Sequence, residues 1–227
     1  MRDGAGSRGS MQVGVLALQG DFALHASLLE SMGVAASYIK TAEGLDQIDA
    51  LVIPGGESTT IGMLMERFGM VQAIRRRVEE GMRILGTCAG AILMAREIEG
   101  SDQTRLGVIP MTVARNAYGR QIESFEVAIS DLAPELAGAE QLLREGAPPA
   151  IAGVFIRAPV ITATDPGVTV LARYEGDPVV VAYNGHVAAT FHPELARDAG
   201  LHRYFLQGAS RGERFSTASS DCSRSDR

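Results

Sequence analysis

Residues 84–95 read "ILGTCAGAILMA". Ile84 and Leu85 end a β-type apolar run. The chain then passes through Gly86-Thr87-Cys88-Ala89-Gly90 into good helix formers. A strand that turns directly into a helix is the repeating unit of an open α/β sheet. Cys88 is one of only two cysteines, and it stands on that turn with a glycine two positions away on either side. A buried structural cysteine needs no such neighbours. A cysteine that points from a tight, strained turn into a cleft does, because bulkier flanks would clash.

The same alternation spreads outward from this stretch. "MQVGVLALQ" (11–19) has the composition of a buried strand. "GDFALHASLLESMG" follows as a helix, with Asp21 placed to cap it and Gly33 to end it. "ASYIK" and "ALVIP" (50–54) read as strands, and "TTIGMLMERFG" and "VQAIRRRVEEG" as helices. "RILGTC" (83–88) reads as a strand and "AGAILMAREI" as the helix leaving it. Such alternation implies a mostly parallel sheet covered on both faces. From about residue 108, "GVIPMTVAR", "SFEVAIS", "AGVFIRAPV", "VTVLARYE", "PVVVAYN" and "HVAATFH" are short strands between turn residues. They read as antiparallel hairpins added to the sheet. Segment 133–150 reads as a surface excursion and 195–207 as a closing helix. The expectation is one α/β domain over 11–207: a flavodoxin-like, mostly parallel sheet flanked by helices, with added antiparallel strands in the C-terminal half. Residues 1–10 read as a flexible leader and 208–227 as a disordered polar tail.

The totals exclude several classes. The chain has 227 residues, 46% hydrophobic and 21% charged, so a sizeable core forms. The net charge of -6 is mixed along the chain, without the basic stripe that nucleic acid requires. No apolar run is long enough to span a bilayer, and the first ten residues lack the apolar core of a secretory signal. A cytoplasmic location is the default. Cys222 lies in a polar tail, so a bridge to Cys88 is not expected, and two isolated cysteines argue against structural zinc.

The turn at Cys88 suits nucleophilic chemistry. A helix N-terminus beside the sulfur favours the thiolate, and the Ala89 N–H is placed to stabilise an oxyanion. A cysteine nucleophile needs a base and the base an orienting group. His25 and His202 lie inside helices, and His186 in a turn. His192 ends the strand "VAATF", where catalytic groups gather in open α/β sheets. Glu194 is two positions on and can fix its tautomer. "PGGESTT" (54–60) supplies two glycines after an apolar strand. It is either an ordinary capped turn or a second oxyanion donor.

Together, Gly-Thr-Cys-Ala-Gly, Pro-Gly-Gly-Glu-Ser and His-Pro-Glu resemble the class I, triad-type glutamine amidotransferases. "GVLALQGDFALH", "LVIPGGESTTIGML", "GTCAGAILMAREI", "RNAYGRQIESFE", "GVFIRAP" and "FHPEL" narrow the resemblance to the glutaminase subunit of pyridoxal 5'-phosphate synthase, the PdxT family, over roughly residues 11–207. The resemblance implies hydrolysis of L-glutamine to glutamate and ammonia. The ammonia passes to a partner synthase subunit of the PdxS family, which carries glutaminases on the outside of a double-ring dodecamer, a 12+12 assembly. Carried over by motif, Cys88 is the nucleophile, with His192 and Glu194 its base and orienter. Gly56, Glu57 and Ser58 form the glutamine-binding loop, and Arg115, Ile156 and Arg157 the other substrate contacts. Gly56 and Ala89 supply the oxyanion donors. No cofactor or metal is implied.

Substrate chemistry agrees, since glutamine carries a carboxylate that needs a cation. Arg157 interrupts an apolar strand, which makes it the more telling candidate beside Arg115. Glu57 meets the substrate ammonium or caps a helix; sequence does not separate the two. The 133–150 segment, the leader and the tail depart from the family pattern without touching the motif residues. Three other readings remain: a glutaminase serving another synthase, a flavodoxin-like cysteine peptidase or chaperone, and a scaffold without activity. "GVFIRAP" and "LALQGD" favour the vitamin B6 pathway over the first. Ala89, where the second places a histidine, counts against it, and the complete Cys, His and Glu set counts against the third.

Overall fold

Three four-residue runs are buried at every position: β1 (Val13–Leu16), β3 (Ala50–Ile53) and β13 (His186–Ala189). A strand buried on both faces must lie inside a sheet covered on both sides. The computed structural model describes residues 11–115, 124–141 and 148–211, and in it these runs form the centre of an eight-stranded sheet. The other strands are β2 (Ala36–Ile39), β4 (Arg83–Thr87), β5 (Ala95–Ile98), β6 (Ile109–Ala114), β7 (Phe125–Ile129), β8 (Asp131–Leu132), β9 (Ile151–Phe155), β10 (Val160–Thr164), β11 (Thr169–Tyr174) and β12 (Asp177–Tyr183). The helices are α1 (Phe22–Ser31), α2 (Ser58–Arg67), α3 (Met70–Glu79), α4 (Ala89–Met94), α5 (Pro134–Gln141) and α6 (Gly200–Arg211). The main sheet runs β2-β1-β3-β4-β13-β12-β11-β8, parallel from β2 to β13 and antiparallel beyond.

The pleat sorts alternate residues to two cores. Leu51, Ile53 and Ile84 join α2, α3 and α4 on one face. Ala50, Val52 and Leu85 join α1, α5 and α6 on the other. This is the expected α/β sheet flanked by helices. No helix among the described residues is long and apolar enough to cross a membrane.

Several boundaries differ from the sequence reading. The helix after Cys88 stops at Met94, and Ala95–Ile98 becomes β5, paired in parallel with β6. Pairing in the sheet overrides the helical propensity of "AREI". The late strands do not all extend the main sheet. β13, β12, β11 and β8 do, β13 lying antiparallel to β12 on one side and parallel to β4 on the other, but β10-β6-β5 form a separate three-stranded sheet, and β7 pairs with β9. A strand's period shows its faces and not its neighbour. Segment 133–150 is not a plain surface excursion, since α5 buries Leu136 and Ala139. The closing helix begins at Gly200, whose N–H donates to Asp198 Oδ1 at 2.9 Å, and runs to Arg211, into the stretch read as tail. Asp21 precedes α1 without a side-chain cap bond. The leader, Cys222 and the tail from 212 lie outside the described residues.

One close approach positions everything that follows. α4 lies against β3 so tightly that a Cβ on Gly90 would stand 2.2 Å from the Ile53 carbonyl oxygen. Backbone cannot yield as a flexible side chain does. Gly90→Ala is expected to lower the unfolding free energy by about 1–3 kcal/mol, the range for overpacking. Gly138 is exposed in α5 with nothing near its missing Cβ. Gly138→Ala is expected to raise stability by about 0.4–1 kcal/mol. Urea titration of both variants compares the two signs.

Candidate active site

Cys88 links β4 to α4 with φ 47° and ψ −102°. A non-glycine residue there is strained by about 1–3 kcal/mol and persists only if its surroundings enforce it. Its N–H donates to the Ala189 carbonyl at 2.9 Å, and its carbonyl accepts from Ile92 N–H at 3.2 Å. The first bond ties the turn to β13, and the second starts α4. Ala89 opens the helix directly behind the sulfur.

β13 runs parallel beside β4, so its continuation emerges at the same sheet edge as Cys88. There His192 forms an isolated bridge with Val154 of β9, donating its N–H at 2.9 Å. The His192 ring interacts with both Cys88 and Glu194. Its Nδ1 lies 2.7 Å from Glu194 Oε1, with the ring 6% exposed and the carboxylate fully buried. Burial pushes His192 down, but the hydrogen bonds and charges of Cys88 and Glu194 outweigh it and raise it to about 10. Burial likewise opposes ionisation of Glu194. The hydrogen bond from His192 and the nearby His192 and His25 rings overcome that and hold its carboxyl far below the usual range.

The remaining predicted residues surround this line. A Cβ on Gly55 would fall on the His192 ring, so the Pro-Gly-Gly turn admits the imidazole against backbone. Gly56 follows it. Glu57 N–H then donates to Gln19 Oε1 at 2.8 Å, while its carboxylate caps α2 by accepting from Thr60 N–H at 2.8 Å. The cap of α2 is therefore Glu57. Ser58 is buried and donates to Gln103 Oε1 at 3.3 Å. Arg115 donates to the same oxygen at 2.5 Å and lies 3.4 Å from Glu57 Oε1. After β9, the Ile156 carbonyl comes 4.0 Å from the Cys88 sulfur, and Arg157 is exposed with φ 45°. The structure thus brings Cys88, His192, Glu194, Gly56, Glu57, Ser58, Arg115, Ile156 and Arg157 to one end of the sheet.

Sequence reasoning missed Gln19, Gln103 and the groups behind Glu194. Buried His25 and His202 meet there, His25 Nδ1 2.8 Å from His202 Nε2. Both fall among the apolar positions of their helices, a signal that such a histidine has a polar partner inside.

The SNO glutamine amidotransferase family matches residues 15–211. This chain belongs to that family. It is therefore a glutamine amidotransferase. It is 50% identical over 197 residues to "Pyridoxal 5'-phosphate synthase subunit PdxT" of Thermus thermophilus, across 86% of this chain and 96% of the relative. It is 47% identical to the protein of the same name from Niallia circulans, across 86% and 96%. A solved structure titled "Crystal structure of glutamine amidotransferase" superposes with a TM-score of 0.77 at 47% identity, covering 87% of this chain and 98% of that one. PurLQS from Thermotoga maritima, at 18% identity and a TM-score of 0.63, shares the fold alone.

The histidines of this family member set its stability against pH. Burial, with the Arg83 charge, lowers His186 to about 4. Burial, with the neighbouring His25, lowers His202 to about 3. Their ordinary value is 6.5, so below that the unfolded chain takes up protons that the native state refuses, and stability falls as pH drops. His192 is raised instead, so its contribution is complete below 6.5 and is lost as pH rises through about 10. Stability is expected to peak near neutral pH. Two depressed histidines give an acid slope of up to about 2.7 kcal/mol per pH unit. Urea unfolding from pH 4 to 10 measures both limbs, and His192→Gln should flatten the alkaline one only.

Proposed function

We propose that this chain hydrolyses L-glutamine to L-glutamate and ammonia through a Cys88-His192-Glu194 triad and a thioester. The ammonia is handed to a synthase subunit of the PdxS family for pyridoxal 5'-phosphate synthesis. The observation that carries the reading is the buried His192 ring, hydrogen-bonded to Glu194 through Nδ1 and raised by its interaction with Cys88. An imidazole raised to about 10 is protonated at neutral pH and sets a positive charge toward the Cys88 side of the site.

The thiolate attacks the side-chain amide carbon, and the carbonyl electron pair moves to oxygen. The N–H groups of Ala89 and Gly56 hold that oxyanion. His192 gives its Nε2 proton to the departing nitrogen, the C–N bond breaks, and ammonia leaves. Water then loses a proton to His192 and attacks the thioester, and glutamate departs as the thiolate reforms. Glu194 accepts from Nδ1–H throughout and keeps the reacting nitrogen aimed at the sulfur. Arg115 and Arg157 offer cations to the substrate carboxylate, and the Ile156 carbonyl accepts from its ammonium. Ser58 and Glu57 hold the loop and Arg115 in place, which suits Glu57's commitment to the α2 cap. Thiolate chemistry fits a reducing compartment, here the cytoplasm. The relatives' shared name, at about half identity over most of both chains, supports the vitamin B6 assignment and a place in a multi-subunit synthase; the 12+12 form of that complex is part of the proposal.

Cys88→Ala is expected to reduce glutamine hydrolysis by about 10⁴-fold or more while melting and synthase binding are kept. Retained hydrolysis would remove Cys88 from the chemistry. Adding a synthase of the PdxS family is expected to raise the glutaminase rate and, with glutamine and two sugar phosphates, to produce the cofactor's absorbance. Equal rates with and without the synthase would sink the coupling.

A further inference from the structure

The carboxylate of Glu194 has two oxygens, and the triad uses only one. Oε1 lies 2.7 Å from His192 Nδ1. Oε2 is fully buried and faces His25 Nε2 at 3.4 Å, with both side chains at 0% exposure. No hydrogen bond reaches Oε2 from the described residues, so His25 is its nearest compensation. His25 Nε2 also lies 3.1 Å from Thr87 Oγ1, on the residue preceding the nucleophile. On the far side, His25 Nδ1 meets His202 Nε2 at 2.8 Å.

The protons in this line have one consistent arrangement. A bare Nε2 on His25 would set a lone pair against a carboxylate, so that nitrogen carries a proton. In the neutral ring, Nδ1 is then an acceptor and must receive the Nε2–H of His202. Burial pushes His202 down to about 3, which leaves it neutral and able to donate from Nε2. Its Nδ1 has no hydrogen-bond partner among the described residues, and a proton there would be an unpaired buried donor. A line of polar contacts thus runs from α6 through α1 to Glu194, and from there to His192.

We infer that His25 is a positioning residue for the glutaminase reaction: its Nε2 edge, anchored on Thr87 and 3.4 Å from the second oxygen of Glu194, offsets the charge on that oxygen and so fixes the carboxylate that orients His192. This rests on the triad reading above. His25 touches neither substrate nor sulfur. Without it, Oε2 would be a buried charge without its nearest polar contact. Glu194 would ionise less readily, and its pull on His192 would weaken. The charged and titratable groups facing Glu194 are His192, His25 and, farther off, His202, with Asp21 within 4.8 Å of both Glu194 and His192.

The test compares His25→Leu with His25→Gln, whose amide nitrogen can occupy the place of Nε2–H. His25→Leu is expected to lower kcat about 10- to 100-fold, the usual effect of removing an outer hydrogen-bond partner, with KM unchanged. The alkaline limb of its kcat/KM profile should move to lower pH, since the charge that raises His192 is loosened. His25→Gln should recover most of both. A readout independent of turnover is the proton NMR signal of His192 Nδ1–H in the folded protein. It should weaken or move upfield in His25→Leu and return in His25→Gln. Folding of each variant is checked by melting. Equal kcat, pH profile and Nδ1–H signal in folded His25→Leu and the wild type would overturn the proposal. So would a His25→Gln variant as impaired as His25→Leu. Failure of the triad itself reads differently: Cys88→Ala would then retain hydrolysis whatever residue 25 is.

Discussion

A cysteine with positive φ has to be forced into that shape, and the sheet does the forcing. The Cys88 N–H is fixed to the Ala189 carbonyl of β13, and its carbonyl already belongs to α4. α4 in turn can lie where it does only because Gly90 lets its backbone rest against the Ile53 carbonyl of β3. Three neighbouring strands therefore decide the direction of one sulfur. The strain of about 1–3 kcal/mol at the turn is small against the burial of β3, β4 and β13, so the core sustains it.

The same three strands end beside one another, which brings three loops together. The turn after β3 approaches the imidazole through Gly55, the turn after β4 carries the sulfur, and the extension of β13 carries His192 and Glu194. Ligands bind at the carboxyl ends of strands in open α/β sheets because the connections leave a crevice there. Here the crevice holds a buried His192–Glu194 pair. Burial alone would leave His192 and Glu194 neutral; their mutual bond and the sulfur outweigh it. Around the rim, Gln103 gathers Ser58, Thr59 and Arg115 on a single oxygen, which joins the capped start of α2 to the end of β6.

Much of this was legible from residues alone. The strand–turn–helix at Cys88, the buried runs of β1, β3 and β4, and the position of His192 at a strand's end all follow from local composition and period. What failed was pairing. "AREI" forms β5, since β6 is available to it, and "HVAA", besides its expected hairpin with β12, has β4 as a parallel neighbour on its other edge. Leu136 and Ala139 made a helix out of an apparent excursion because α6 offered them a surface.

The sequence by itself determined which chemistry the chain can carry and which faces its elements bury, because side-chain type and a repeat of two or three to four residues are local properties. Only the tertiary structure decided which distant groups meet. His25 and His202 come from opposite ends of the chain, and neither has a marker for the other. Their meeting follows from α1 and α6 packing on the same face of the sheet. Once both imidazoles are excluded from water, each must find its hydrogen bonds inside, and it finds them behind Glu194.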